Sequence, residues 1–394
     1  MPTFAQLDAI TLADLRATGA TKWKREDGAL GAFVAEMDYG VAQPIKDALH
    51  AAVEQGLFAY LPEHYRDQMQ ASVAAWLQRQ SGWQVPRERI HEMPDVVAVY
   101  RAAMEHFTPP GGKIIVPTPS YMPFLSVPAS VGREVIEVPM SVDSNGYHFT
   151  HVLAALERAF DTGGRLLVLC NPHNPTGRVF HRAELAAIEE LVERKGGRVF
   201  ADEIWSPLVF PGHQHISYAA MGAAAAGHTI TATAASKAFN LPGLKCAQLI
   251  TSNEADEEKW RAVGHFPMHG AANLGLVGTA AAFAECQPWL DDILAYLKRN
   301  RDLLTEFVAE RMPHARVTRP EATYVAWLDL TDYALETDPQ TFLLEQAGVM
   351  CTVGTACGRV GTGHVRFIFA MPKPLMLEAL ERMAQALEQV PVRA

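Results

Sequence analysis

Between residues 113 and 233 the chain alternates short apolar runs with stretches of helical spacing, and few folds accept that order. Lys113-Ile-Ile-Val-Pro117, Arg165-Leu-Leu-Val-Leu-Cys170, Arg198-Val-Phe-Ala201 and Thr229-Ile-Thr-Ala-Thr233 read as strands. From Arg182 to Lys195, apolar Leu185, Ile188, Leu191 and Val192 share one helical face, and Gly196-Gly197 stops the pattern. Strand–helix–strand order predicts an α/β fold with a buried, mostly parallel sheet, because parallel strands need crossovers and the crossovers cover the sheet. Ligands of such sheets bind beyond the carboxyl ends of the strands. Asn174, Asp202 and Lys237 each fall just past one of those ends, so three separate segments converge on one rim.

The chain's 394 residues are too many for one compact core, so two domains are expected. The last third changes character. Helical patterns run from Leu297 to Met312 and from Pro374 to Val390, around strand-like Thr323–Leu328 and His364–Ala370. The reading is a large domain over 46–285 and a smaller α+β domain over 286–394. Residues 1–45 form a segment packing on the smaller domain or a partner subunit. The alanine-rich stretch Gly222–Gly227 reads as a loop or helix end.

A net charge of −10 argues against a nucleic-acid surface, which needs a basic face. No apolar run approaches the roughly 20 residues that span a bilayer, and no signal peptide is read at the N-terminus. The five cysteines show no C-x-x-C spacing, and the histidines no metal-ligand pattern, so a cytoplasmic protein without a metal is expected.

Lys237 lies among small, nearly uncharged residues, in Thr231-Ala-Thr-Ala-Ala-Ser-Lys-Ala-Phe-Asn-Leu-Pro-Gly-Leu-Lys245. Desolvation there favours the neutral amine, a nucleophile toward carbonyls. With Asn174 and Asp202 it reads as a lysine that holds pyridoxal 5′-phosphate. Asp202 suits the cofactor's pyridine nitrogen, though an Asp after a strand also caps helices. Asn174, in Asn-Pro-Thr-Gly, can aim its amide or simply build the turn. Arg366 sits inside the apolar run Val365–Ala370, where a guanidinium is costly unless paired.

Several motifs run in one order along almost the whole chain: Ala35-Glu-Met-Asp-Tyr39, Phe58-Ala-Tyr60, Pro119-Ser-Tyr-Met-Pro-Phe124, Cys170-Asn-Pro-His-Asn-Pro-Thr-Gly177, Ala201-Asp-Glu-Ile204, Ser236–Leu244 and Val365–Ala370. In this the chain resembles the fold-type I pyridoxal-phosphate enzymes of the class I/II aminotransferase superfamily. Within it, the chain is most similar to the MalY/PatB-like cystathionine β-lyases. The resemblance implies that Lys237 is the cofactor lysine and general base, Asp202 the pyridine anchor and Asn174 a donor to the phenolic oxygen. Tyr121 stacks on the ring. Val96 and Val97, opening a helix, hold the phosphate with Ser236 and Lys245. Tyr60 reaches the phosphate of a neighbouring subunit, which implies a homodimer. Arg366 clamps the substrate carboxylate, with Asp38, His173 and Trp205 as further pocket residues. Tyr121, Lys245 and His173 also have structural readings, as a core tyrosine, a solvated surface lysine and a surface or structural loop histidine.

Three positions depart from the family pattern. Trp205 stands three residues after the Asp, where many members carry His or Tyr. Ala234 replaces a serine often found three residues before the lysine. Asp95 precedes the valines where glycine is common, and is expected to point away from the phosphate. The reaction implied is β-elimination, giving thiol, pyruvate and ammonia from L-cystathionine or another cysteine S-conjugate. Transamination of an L-amino acid is the alternative. A regulatory protein that binds the cofactor and acts through a protein partner is another, since the chain carries no basic helix-turn-helix segment.

Overall fold

The computed structural model describes residues 2–24, 28–143 and 148–393. Its largest sheet has seven strands: β1 (Ile90–Met93), β2 (Lys113–Thr118), β3 (Val135–Pro139), β4 (Gly164–Cys170), β5 (Arg198–Asp202), β6 (Thr229–Thr233) and β7 (Ala247–Thr251). They lie in the order β1-β7-β6-β5-β4-β2-β3. β7 is antiparallel to both neighbours and the other pairs are parallel. The four strands read from sequence are β2, β4, β5 and β6. The other three carry weaker signals: β1 is interrupted by His91 and Glu92, β3 is an edge strand, and β7 directly follows the Lys237 motif.

Successive residues of the inner strands feed opposite faces of the sheet. Ile114, Leu166 and Phe200 join an apolar core that extends from Leu7 to Leu387. Ile115, Leu167 and Val199 join a second core on the other face. There α2 (Arg182–Lys195) contributes Leu185 and Ile188, while α1 (Val96–His106) packs on the first face. The Glu184 carboxylate accepts the His181 N–H to start α2, and Gly196 ends it with φ +59°. Residues 223–228 wind into a short helix, as alanine's high helix propensity favours.

Beyond the large sheet come α3 (Gln287–Arg311), β8 (Arg316–Val317), β9 (Val325–Asp329), α4 (Pro339–Ala347), β10 (Thr352–Val353), β11 (His364–Ile368) and α5 (Lys373–Leu387). The strands form an antiparallel sheet in the order β8-β9-β11-β10. α3 begins well before Leu297 because Pro288, in its first turn, can start a helix but not continue one. The N-terminal segment packs on this part of the chain. Leu30–Gly31 pairs in parallel with Val349–Met350, and Arg299 holds Asp8. A Cβ on Gly31 would stand 2.1 Å from the Lys22 carbonyl oxygen, so only glycine fits that crossing.

Candidate active site

The carboxyl ends of β4, β5 and β6, the amino end of α1 and the inner face of β11 surround a cavity of about 730 Å³. That lies within the roughly 300–1,000 Å³ usual for small-molecule sites. Lys237, four residues past the end of β6, opens onto it, and its Nζ donates to the Ala35 carbonyl at 3.0 Å. Burial, and then the Arg366 cation, push the Lys237 amine down to about 8, against the pull of Glu36 and Asp202.

Asp202 ends β5. Burial pushes its carboxyl up to about 7, although the Ile204 N–H donates to it at 3.1 Å and the Cys170 thiol at 3.7 Å. Its neighbour Glu203 turns away to His215 and the Tyr218 N–H. Asn174 is buried in the loop after β4, where Asn171 accepts the Phe180 N–H and Gly177, at φ +73°, passes close to Pro320. Its Oδ1 faces Arg366 Nη1 at 3.4 Å. Arg366 is buried on β11, between Trp327 and Thr352 in register. Its Nη2 donates to the Phe33 carbonyl at 2.8 Å, and its Nε has no hydrogen-bond partner among the described residues.

At the amino end of α1, Asp95 caps the helix by accepting the Ala98 N–H at 2.8 Å. Its other oxygen accepts from Lys245. Asp95 therefore lines the cavity with Val96 and Val97 instead of pointing away, and Lys245 offsets its charge. The capping geometry places a carboxylate where helix N–H groups attract anions. Ser236, Tyr121 and Trp205 also line the cavity. The Trp205 ring meets Tyr324 edge-on at 4.7 Å, with Lys237 Nζ 5.9 Å from the Trp205 centroid.

Two expected site residues, Asp38 and His173, lie off the cavity, and Tyr60, expected at a neighbouring subunit's site, lies away from this one. Asp38 spends both carboxylate oxygens on Lys22 Nζ at 2.7 Å and Trp23 Nε1 at 2.9 Å, inside the N-terminal segment. His173 is buried behind its loop against Thr176, and burial pushes its ring down to about 3. It packs edge-on to Phe180 and does not line the cavity. Tyr60 is 99% exposed and lines no part of this chain's own cavity.

Sequence reasoning missed the strap Phe33–Gly40. Its Ala35 carbonyl accepts from Lys237 and from Tyr324, and its Phe33 carbonyl from Arg366 and Thr352. Backbone carbonyls leave no side-chain signature, so no residue type announces them. Asn240 lies in the same motif as Lys237, and nothing in the sequence marks its role. Its side chain brackets Met37, accepting that residue's N–H at 3.0 Å and donating to its carbonyl at 2.8 Å. The face of α4 carrying Gln340 and Leu344, and residues 350–353, complete the wall.

A family model, "Aminotransferase class I and II", matches residues 34–383. The chain is 35% identical over 379 residues to a cystathionine beta-lyase of Corynebacterium glutamicum, covering 95% of this chain and 99% of the relative. A Corynebacterium diphtheriae protein assigned as a PLP-dependent beta-cystathionase superposes with a TM-score of 0.91 at 38% identity, over 96% of this chain and 98% of that one. Cystalysin from Treponema denticola, whose structure contains pyridoxal 5′-phosphate, superposes with a TM-score of 0.86 at 26% identity, over 94% and 96% of the two chains.

Proposed function

The chain belongs to the class I and II aminotransferase family, and from that premise we propose that its cavity takes pyridoxal 5′-phosphate and that the protein is a carbon–sulfur β-lyase. Its substrate is L-cystathionine or a related cysteine S-conjugate, and its products are a thiol, pyruvate and ammonia. One observation carries the cofactor and amino-acid part of this reading, and the likeness to cystathionine beta-lyases supports the choice of reaction. Lys237, Asp202 and Arg366 face one cavity, and none has an ion-pair partner among the described residues. Charge enclosed without a partner is costly. The site is balanced only by a ligand that brings a cation to Asp202 and a carboxylate to Arg366. A protonated pyridine and an amino acid are such a pair, so the donor set fits the cofactor.

Bound there, pyridoxal phosphate supplies an aldehyde that condenses with amines and a ring that draws electrons from the substrate's α-carbon. Lys237 is suited to both its tasks, because an amine near 8 is partly neutral at physiological pH. Lys237 would hold the cofactor's aldehyde, and its free Nζ would take the substrate's α-proton. Asp202 would keep the ring nitrogen protonated, and Asn174 would donate to the phenolic oxygen. Tyr121 would cover the ring. The N–H groups of Val96 and Val97 would hold the phosphate, with Ser236 and Lys245. Arg366 grips the α-carboxylate with its planar fork. Loss of the α-proton would let the bond to sulfur break, its electron pair leaving on a thiolate that then takes a proton, and water would convert the remaining three-carbon fragment to pyruvate and ammonia.

We extend the proposal to a cytoplasmic homodimer in which Tyr60 serves the neighbouring site. Its support is the exposure of Tyr60 and the five cysteines, all buried and free. Among the described residues, no helix is long and apolar enough to cross a membrane.

The test is to incubate purified holoenzyme with L-cystathionine and no keto acid. Steady release of pyruvate and thiol, lost in Lys237→Ala, is expected. Turnover that stops after one cycle and restarts only with a keto acid would mean transamination instead.

A further inference from the structure

We propose that the cavity selects cysteine S-conjugates whose sulfur carries an apolar alkyl or aralkyl arm, in preference to L-cystathionine. This rests on the β-lyase reading and names the substrate class within it. Among the described residues, the charged side chains that this chain brings to its own cavity are Asp95, Lys245, Asp202, Lys237 and Arg366. All are committed. Asp95 and Lys245 bond each other, Asp202 and Lys237 serve the cofactor, and Arg366 takes the α-carboxylate. Glu36 acts electrostatically on Lys237 but does not line the cavity.

The wall left for the thioether arm stands beside Arg366. Thr352 is opposite Arg366 in the β10–β11 pair, and its hydroxyl already donates to the Phe33 carbonyl that Arg366 also reaches. Around them stand Phe33, Met350, Cys351 and Val353. Burial pushes the Cys351 thiol up to about 12, so it stays neutral and behaves as a small apolar group. α4 adds Gln340 and Leu344, one turn apart on a single face. Among the described residues that this chain brings to the wall, uncommitted side-chain polarity comes down to the Gln340 amide.

The far end of cystathionine carries an ammonium and a carboxylate. On this wall neither meets an opposite charge, and both must leave water to pass it. An ethyl or benzyl arm loses nothing by leaving water and gains contact with Phe33, Met350 and Leu344.

The measurement is kcat/KM for thiol release by the holoenzyme with S-ethyl-L-cysteine, S-benzyl-L-cysteine and L-cystathionine. At least one apolar conjugate should exceed cystathionine by about 10-fold or more. Gln340→Arg and Leu344→Arg each place a cation on the wall and should shift the ratio toward cystathionine by a similar factor. Cystathionine turning over as fast as, or faster than, both apolar conjugates in the native protein overturns the inference while leaving the β-lyase reading intact. Keto-acid-dependent turnover without thiol from any of the three overturns the β-lyase reading itself, and the inference falls with it.

Discussion

The carboxyl of Asp202 titrates near 7 in the folded chain and near 3.8 when exposed, because burial outweighs the hydrogen bonds it accepts. Between those values the folded state holds a proton that the unfolded state has lost. Stability of the cofactor-free protein therefore falls as pH rises from about 4 to about 7, and the deficit is complete above that. Lys237 has the opposite sense: its folded value, about 8, lies below 10.5, so its deficit is present below 8 and is relieved as pH rises through that window. Asp202→Asn should thus raise the melting temperature of the stripped protein at pH 8, by up to about 4 kcal/mol in stability, and change little at pH 4. The same substitution should abolish β-elimination by the holoenzyme. Thermal denaturation at both pH values checks the first part, and equal shifts at pH 4 and 8 would contradict it. Lys237, Asp202 and Arg366 were legible as residues because a charged side chain in an apolar or small-residue run is conspicuous. Asp38 and His173 were conspicuous too, but local partners, Lys22 and Thr176, take up their polar atoms.

The strap Phe33–Gly40 acts through its backbone. Besides the Phe33 and Ala35 contacts, the Ala32 carbonyl accepts the Ile368 N–H and the Asp38 N–H donates to the Ala370 carbonyl. The strap thus ties β11 to the Lys237 loop. Asn240 makes the second tie and does so at φ +60°, a conformation Asn tolerates better than most residues. Asn240→Gly keeps that backbone and loses the amide clamp, whereas Asn240→Ala loses the clamp and adds strain. Both should lower kcat/KM about 10-fold or more through displacement of the strap. Chemical denaturation should find Asn240→Ala less stable than Asn240→Gly by about 1 kcal/mol. Wild-type kinetics in Asn240→Gly would show that the clamp does not position the site. β2, β4, β5, β6 and α2 could be read from periodicity, since a buried sheet and its covering helix impose it. The strap could not, because an irregular segment imposes no period and carbonyls are common to every residue.

At the scale of the whole molecule, Phe58, Tyr60 and Phe266 are 73%, 99% and 81% exposed in one chain. If Tyr60 completes the neighbour's site, a dimer of one Lys237→Ala and one Tyr60→Ala subunit contains one intact site and one doubly damaged site. Co-expressing the two inactive variants should then restore about a quarter of wild-type activity, since random pairing makes half the dimers mixed. No recovery above the separately purified variants would confine Tyr60 to its own chain or remove it from the site. The sequence by itself determined the α/β class, the family and that Lys237, Asp202 and Arg366 stand out, because strand–helix alternation, ordered motifs and misplaced charges are local patterns; the structure brings those three to one cavity. Only the tertiary structure decided which charges stay unpaired, that Asp95 and Lys245 join, and that the wall beside Arg366 is apolar. Those properties depend on segments more than 100 residues apart, such as Phe33 with Arg366 and Asp95 with Lys245, meeting around one cavity.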